Sequence, residues 1–248
     1  MPEPSREPGG SDVLATTDRS MLRRKKERGS YDREVINAIL DEGLLCHAGF
    51  SVEGSTFVVP MAYARIRDTL YLHGATGNRM LRHLADGADV CVTVTLLDAL
   101  VLARSAFHHS MNFRSVMLFG TASRVDDDDE KLRATTALLE HVASGRSADA
   151  RPPSAEELRA ALMIRIPIAD GSAKVRTGGP IDEPEDLGER IWAGQIPLSI
   201  AAGAAISDGV LPRGTAEPTY VRSYPDRSAR PAVTPSTRAR GAGAEPGG

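Results

Sequence analysis

Cysteine is almost absent from this chain of 248 residues: only Cys46 and Cys91 occur, with no second cysteine or histidine at metal-ligand spacing. That argues against a disulfide framework and against a zinc module. Both thiols lie inside apolar strand patterns and are expected as reduced core residues of a cytoplasmic protein. Long hydrophobic runs are also missing. No stretch approaches the length that spans a bilayer, and the N-terminus lacks the apolar centre of a signal peptide, so no membrane partner is expected. Neither sign of charge dominates: Lys plus Arg number 30 against 33 Asp plus Glu, a formal net charge of -3, which leaves no footprint for nucleic acid. The one basic run, Arg23-Arg24-Lys25-Lys26-Glu27-Arg28, reads as a solvated approach to the first helix. Internal repeats, a Gly-x-Ser-x-Gly elbow, a Walker loop and a dinucleotide fingerprint are all lacking. Their absence speaks against hydrolase, nucleoside-triphosphatase and Rossmann dehydrogenase chemistry.

The apolar fraction is 41%, enough for a real core. Composition places that core in residues 20–207. Residues 1–19 and 208–248 carry Pro, Gly, Ser, Ala and Arg without apolar periodicity and are expected as disordered tails. Ser30 is a candidate N-cap for a helix over Tyr31 to Glu42, with Val35, Ile36, Ile39 and Leu40 on one face and Gly43 as its stop. Leu44 to Val52 and Thr56 to Ile66 read as a hairpin around Glu53-Gly54-Ser55. Phe57, Val59, Met61 and Tyr63 share one face of its second strand, and Pro60 marks an edge or a bulge.

The most informative stretch is Tyr71 to Arg82. An alternating strand from Asp68 to His73 meets Gly74 and Gly77, then a helix from Asn78 to Asp86 with Met80, Leu81, Leu84 and Ala85 on one face. First-turn amides, the helix dipole, Arg79 and Arg82 together suit an anion, most simply a phosphate. Asp89 to Leu97 is the clearest strand, turned at Asp98-Ala99 into Leu100 to Arg104. A loop through His108-His109 leads to a strand over Arg114 to Val125. Acids at 126–130 open a helix to about Ser144 with Leu132, Leu139 and Val142 inward; a helix start accounts for these carboxylates better than a metal does. A linker, a short helix at Ser154 and a strand over Ala161 to Ile168 follow, then an irregular glycine-rich segment, Gly171 to Pro180, and the single tryptophan, Trp192. About six or seven antiparallel strands with helices in the gaps indicate an α+β, mainly β, closed barrel.

The succession Phe57-Val58-Val59-Pro60-Met61-Ala62-Tyr63, Tyr71-Leu72-His73-Gly74-Ala75, Val90 to Thr95, Val101 to Ser105 and Asn112 to Gly120 resembles the pyridoxamine 5'-phosphate oxidase-like flavin-binding split-barrel superfamily. Within it the chain is most similar to the nitroimidazole-resistance and flavin-nucleotide-binding branch, over about Arg19 to Ser199. The resemblance implies a homodimeric FMN-binding split β-barrel with flanking helices. It places the flavin ring along Val59, Pro60 and Met61, with His73, Gly74 and Ala75 at its edge and Asn78 and Arg79 on the phosphate. Ser105, Asn112, Arg114 and Ser115 would line the interface between protomers, with Trp192 as a cover. F420 or haem stands as an alternative cofactor on such a barrel. The helix start departs from the Gly-Arg-Lys run of many relatives, reading Asn78-Arg79-Met80, and no vitamin-B6-type substrate motif is recognisable. The implied activity is oxidation or reduction of a small electron-poor molecule, nitroaromatic or quinone, or else accessory flavin or haem carriage. His73 reads either as a proton donor or substrate contact, or as a strand-end histidine. His108 and His109, adjacent and so oppositely directed, read as structural. Arg104 and Arg114 either grip an acidic group or pair at an interface.

Overall fold

A computed structural model describes residues 12–224; the remainder of both expected tails, 1–11 and 225–248, lies outside the described residues. A 3-10 turn at Lys26–Arg28 and strand β1 (Gly29–Ser30) precede helix α1 (Arg33–Glu42). Asp32, not Ser30, caps α1, its carboxylate accepting from the Glu34 amide at 2.7 Å. Ile36, Ile39 and Leu40 form its buried face.

Strands β2 (Cys46–Val52) and β3 (Ser55–Met61) form the hairpin. Its two loop residues, Glu53 and Gly54, both have positive φ (50° and 79°), the backbone that twists correctly between paired strands. The second strand stops short of Ile66. Tyr63 turns wholly inward instead and donates its hydroxyl to the carbonyls of Leu40 and Gly43 at 2.5 and 2.9 Å, so that β4 (Ala64–Ile66) joins a different sheet.

Then come β5 (Thr69–Ala75), α2 (Arg79–Ala85) and β6 (Asp89–Leu102). The turn expected at Asp98-Ala99 is absent: β6 runs through it as one strand, with Asp98 as an extra residue in the ladder between Leu97 and Ala99. β7 (Ser110–Thr121), β8 (Ser123–Arg124) and α3 (Asp128–Val142) follow. Asp127 caps α3. Its inward face is Ala134 and Leu138; Leu132 and Val142, expected inside, are exposed, because only one narrow stripe of α3 meets the sheet.

Short helices α4 (Arg146–Asp149) and α5 (Ala155–Ala160) lead to β9 (Ala161–Pro167). The glycine-rich segment expected to be irregular contains β10 (Asp170–Arg176), paired along its whole length with β7. Its small residues are needed there: a Cβ on Gly171 would sit 2.7 Å from the Met117 carbonyl and 2.6 Å from Leu118. β11 (Gly194–Pro197) and α6 (Thr219–Arg222) complete the elements.

Two antiparallel sheets enclose the core. The larger has the order β1-β10-β7-β6-β2-β3, with β11 on the free half of β6; the smaller is β4-β5-β9-β8. Val90, Val92, Val94, Val116 and Leu118 from the first face Leu70, Leu72, Ile164 and Ile166 from the second, and α1 and α2 close the gaps. This is the α+β, mainly β, architecture. Behind the small sheet, α3 covers a second cluster of Tyr71, Val125, Ala134 and Met163. Cys46 is a core residue and burial pushes its thiol up to about 12. Cys91 is not: it is half-buried on the outer face of β6.

Residues Val13 to Arg19, assigned by composition to a tail, lie against the barrel. Leu14 is buried, and the Thr17 hydroxyl donates to the Asp170 carboxylate at 2.9 Å. At the other end Tyr220 accepts from Arg146 at 3.0 Å and Tyr224 donates to the Val142 carbonyl at 2.8 Å. No helix among the described residues is long and apolar enough to cross a membrane.

Tyr63→Phe takes a donor from the buried Leu40 carbonyl, while the Gly43 carbonyl keeps His141 at 2.7 Å, and should cost about 1–3 kcal/mol. Urea denaturation checks this: the midpoint should fall with the slope unchanged.

Candidate functional site

β3 is the free edge of the large sheet, where Pro60, unable to donate to a ladder, is tolerated. Strand alternation sends Phe57, Val59 and Met61 toward the core side and Val58 and Pro60 to the outer face. Val59, Pro60 and Met61 therefore do not share a surface. Of the three only Val59 lines the groove beside α2, an open hollow of about 350 Å³ walled by Phe50, Phe57, Val59, Asn78, Arg79 and Met80.

The turn into α2 is built by Asn78. Its amide donates to the Ala75 carbonyl at 2.9 Å and its side-chain oxygen accepts from the Leu81 amide at 3.1 Å, so one first-turn amide is already satisfied within the chain. Gly74 permits the close approach of α2, since a Cβ there would meet Leu81 at 2.9 Å; Gly77 stands in open space. The Arg79 guanidinium lies 5.2 Å above the Phe57 ring. Among the described residues neither Arg79 nor Arg82 makes an ion pair. The groove thus has an aromatic and aliphatic wall under an unneutralised cation, a surface for a planar molecule carrying an anionic group.

His73 is elsewhere. Along β5, Leu70 and Leu72 face the barrel core and Tyr71 faces the cluster under α3, so His73, two residues on from Tyr71, sits on that second face and does not line the groove. It is exposed and, among the described residues, its ring has no hydrogen-bond partner, yet local desolvation holds its pKa below the ordinary value, favouring neutral imidazole. Ala75 is exposed beyond it.

The remaining expected residues lie around the far end of β6 and β7. Ser105 caps a 3-10 turn through the Phe107 amide at 3.3 Å. Arg114 is buried and its fork is filled from within the chain: the Asp98 carboxylate at 2.8 Å and the Glu42 carboxylate at 2.5 and 2.8 Å. Hydrogen bonds to Glu42 and then Asp98 raise its pKa further. It is a brace across the bulge, not a free grip for a ligand. Arg104 is similarly held, by Asp182 at 2.8 Å. Asn112 donates to the Gln195 side chain at 2.5 Å and the Gly178 carbonyl at 3.1 Å. Ser115 donates to the Lys174 carbonyl at 3.4 Å. His108 faces Glu183 at 3.7 Å while His109 meets the Ser105 carbonyl at 3.0 Å, so the pair serves two separate partners. Trp192 is 65% exposed and packs on Gly194 at the start of β11. β11 lies on the half of β6 that β2 leaves free, far along the strand from the groove.

Glu42, Asp98, Arg176 and Asp182 were not foreseen. Asp98 carried a signal, a lone carboxylate between two apolar strand segments, but it read as a turn. A second hollow, about 530 Å³, opens on the outer face of the large sheet, where Gly49 and Cys91 leave a depression between Val58 and Phe119 under Arg19.

The family model described as pyridoxamine 5'-phosphate oxidase matches residues 32–175. Among solved structures, the flavocytochrome Anf3 from Azotobacter vinelandii is 35% identical with a TM-score of 0.79, covering 84% of this chain and 96% of that one. The FAD and haem binding protein from Mycobacterium smegmatis is 36% identical with a TM-score of 0.76, covering 79% and 96%. A Bacteroides thetaiotaomicron protein assigned to 5-nitroimidazole antibiotic resistance is 26% identical with a TM-score of 0.50, covering 59% and 86%. Comparison with curated proteins finds no match.

Removing Asp98 leaves Arg114 half-neutralised in the interior, so Asp98→Ala should lose about 3 kcal/mol. Glu42→Ala, at a carboxylate 43% exposed, should lose about 1 kcal/mol. Equal losses in chemical denaturation would contradict this division. NMR titration should place the His73 midpoint below the ordinary 6.5. Its contribution to stability is then intact above that pH and is lost as pH falls through the lowered folded-state pKa.

Proposed function

The chain belongs to the pyridoxamine 5'-phosphate oxidase family, whose split barrel its two sheets form, and we propose that it is a flavin-binding redox protein, with FMN as the cofactor and a small electron-poor acceptor as substrate. The observation that carries the reading is Arg79: a cation over an aromatic wall with no carboxylate to neutralise it among the described residues. Arg79 and Asn78 would hold the phosphate. Phe57, Val59 and the free edge of β3 would flank the ring, and the groove volume falls within the range of roughly 300–1,000 Å³ usual for small-molecule sites. A bound flavin would supply the hydride or electron transfer. The protein's part is to seat the phosphate, shield one ring face and keep the approach narrow.

A second copy of the chain would complete the site. Val58, Leu97, Met111 and Met117 are exposed on the outer sheet face, and Ile181, Leu187, Trp192, Ile200 and Ile206 are exposed along the C-terminal segment. Apolar surface of that extent supports association. In that assembly Trp192 would reach the groove of the partner rather than its own. Arg114 stays outside the cofactor set because its donors are already taken.

A second reading adds haem. It is supported by the relatives at 35% and 36% identity, whose names couple a flavin with haem or a cytochrome. A haem iron takes a neutral imidazole. Four of the six histidines are engaged: His83 against Phe50, His108 with Glu183, His109 with Ser105 and His141 with Gly43. His73, exposed on the face of β5 away from the groove and with its pKa lowered by desolvation, has the required chemistry. The two cofactors would then lie on opposite faces of one strand.

The test is an absorption spectrum of protein from its native host, with the released chromophore identified by mass. FMN or FAD supports the first reading, an added Soret band the second, and F420 or no chromophore contradicts both. Arg79→Ala should weaken flavin binding at least about tenfold; unchanged affinity removes the phosphate assignment. His73→Ala should abolish a Soret band and leave flavin content intact.

A further inference from the structure

The basic run of the sequence and the end of β10 meet in the fold. β1 pairs with β10 so that Gly29 opposes Lys174 and Ser30 opposes Ala173. Arg28 is thereby brought near Arg176, close enough that its charge, after burial itself, disfavours the Arg176 cation. Arg176 is 5% exposed. Among the described residues its donors meet only neutral acceptors: the side-chain oxygen of Asn112 and the carbonyls of Gly178 and Gly179, the last two at 3.3 Å. Its Nε is buried and, among the described residues, has no hydrogen-bond partner. Among the described residues none of Arg28, Lys174 and Arg176 makes an ion pair.

A guanidinium taken out of water without a counter-charge costs several kcal/mol, roughly, in effective terms. The same fold neutralises its comparable arginines. Arg114 lies between two carboxylates and Arg104 against Asp182. Arg176 is the exception, ringed by amide oxygens that fix its fork without cancelling its charge. Four strand positions separate β10 from β3, about 19 Å across the sheet, so this is not the groove at Arg79.

We propose that Arg176 is the centre of a second anion site, which takes the carboxylate or phosphate group of a small molecule, with Asn112 orienting the guanidinium and Arg28 adding attraction. The anionic group belongs either to a bound cofactor or to a free substrate, and the chemistry of recognition is the same for both. The inference does not rest on the flavin reading.

Calorimetric titration of the purified full-length protein with inorganic phosphate and with acetate tests it, before and after removal of any chromophore. Saturable binding of one probe is expected. It should weaken about tenfold or more in Arg176→Met and a few-fold in Arg28→Ala, and remain in Arg176→Lys and Arg79→Ala. Binding confined to stripped protein assigns the site to a cofactor's anionic group, and binding in both forms assigns it to a free small molecule. In anion-free buffer Arg176→Met should melt no lower than the wild type, since it removes an uncompensated charge. Full affinity in Arg176→Met overturns the proposal, as does a wild type that binds neither probe in either form. If sedimentation then shows Arg176→Met shifting toward monomer, the guanidinium belongs to an acid of a second copy. The probes are colourless and bypass Arg79, so either reading can fail alone.

Discussion

The pairing of β6 with β7 is the constraint on which the rest of the molecule depends. These two long strands pair from Asp89 with Thr121 to Val101 with Ser110, with one shift of register at Asp98, and the rest of the large sheet builds outward from their two outer edges. β10 extends the sheet beyond β7, while β2 and β11 share the other edge of β6. A ladder that long must accommodate twist, and Asp98 supplies the extra residue that does so. The bulge has an electrostatic consequence. It places a carboxylate beside Arg114, and Glu42 at the end of α1 completes the grip, tying the first helix to the centre of the sheet.

Charge is handled unequally across the fold, and the inequality separates scaffold from site. Arg104 and Arg114 are cancelled by carboxylates close at hand and act as braces. Arg79 and Arg176 are not cancelled by any described residue: one lies over an aromatic ring at a groove, the other is buried among amide oxygens. Neutralising a cation internally favours rigidity. Leaving it open favours a ligand at the expense of stability in its absence.

The strands of the small sheet are buried on both faces for much of their length, against the barrel core on one side and α3 on the other. At the end of β5 that double cover stops. Gly74 then admits α2 on one face while His73 emerges on the other. A one-residue step along a strand therefore leads to two unlike environments, a cation-rimmed groove beside α2 on one face and an exposed imidazole on the other.

Local pattern was enough for the sequence to determine the fold class, the hairpin around Glu53-Gly54-Ser55, the helix opening at Asn78 with Arg79 in its first turn, and Pro60 as a residue of an edge or a bulge. Each follows from a residue's own backbone preference or from a repeat of two or three to four residues, which neighbours in the chain reveal. Only the tertiary structure decided what each side chain meets. Asp98 read as a turn because its partner, Arg114, is paired through the sheet and not through the chain. Gly171 to Arg176 read as irregular because the benefit of small residues there lies in the close approach of β7. Arg114 and Arg176 look alike in sequence, and one is a brace and the other an open cation solely because carboxylates from distant segments reach the first and not the second. Contacts of that kind are set by the packing of two sheets on one core, and no local pattern encodes them.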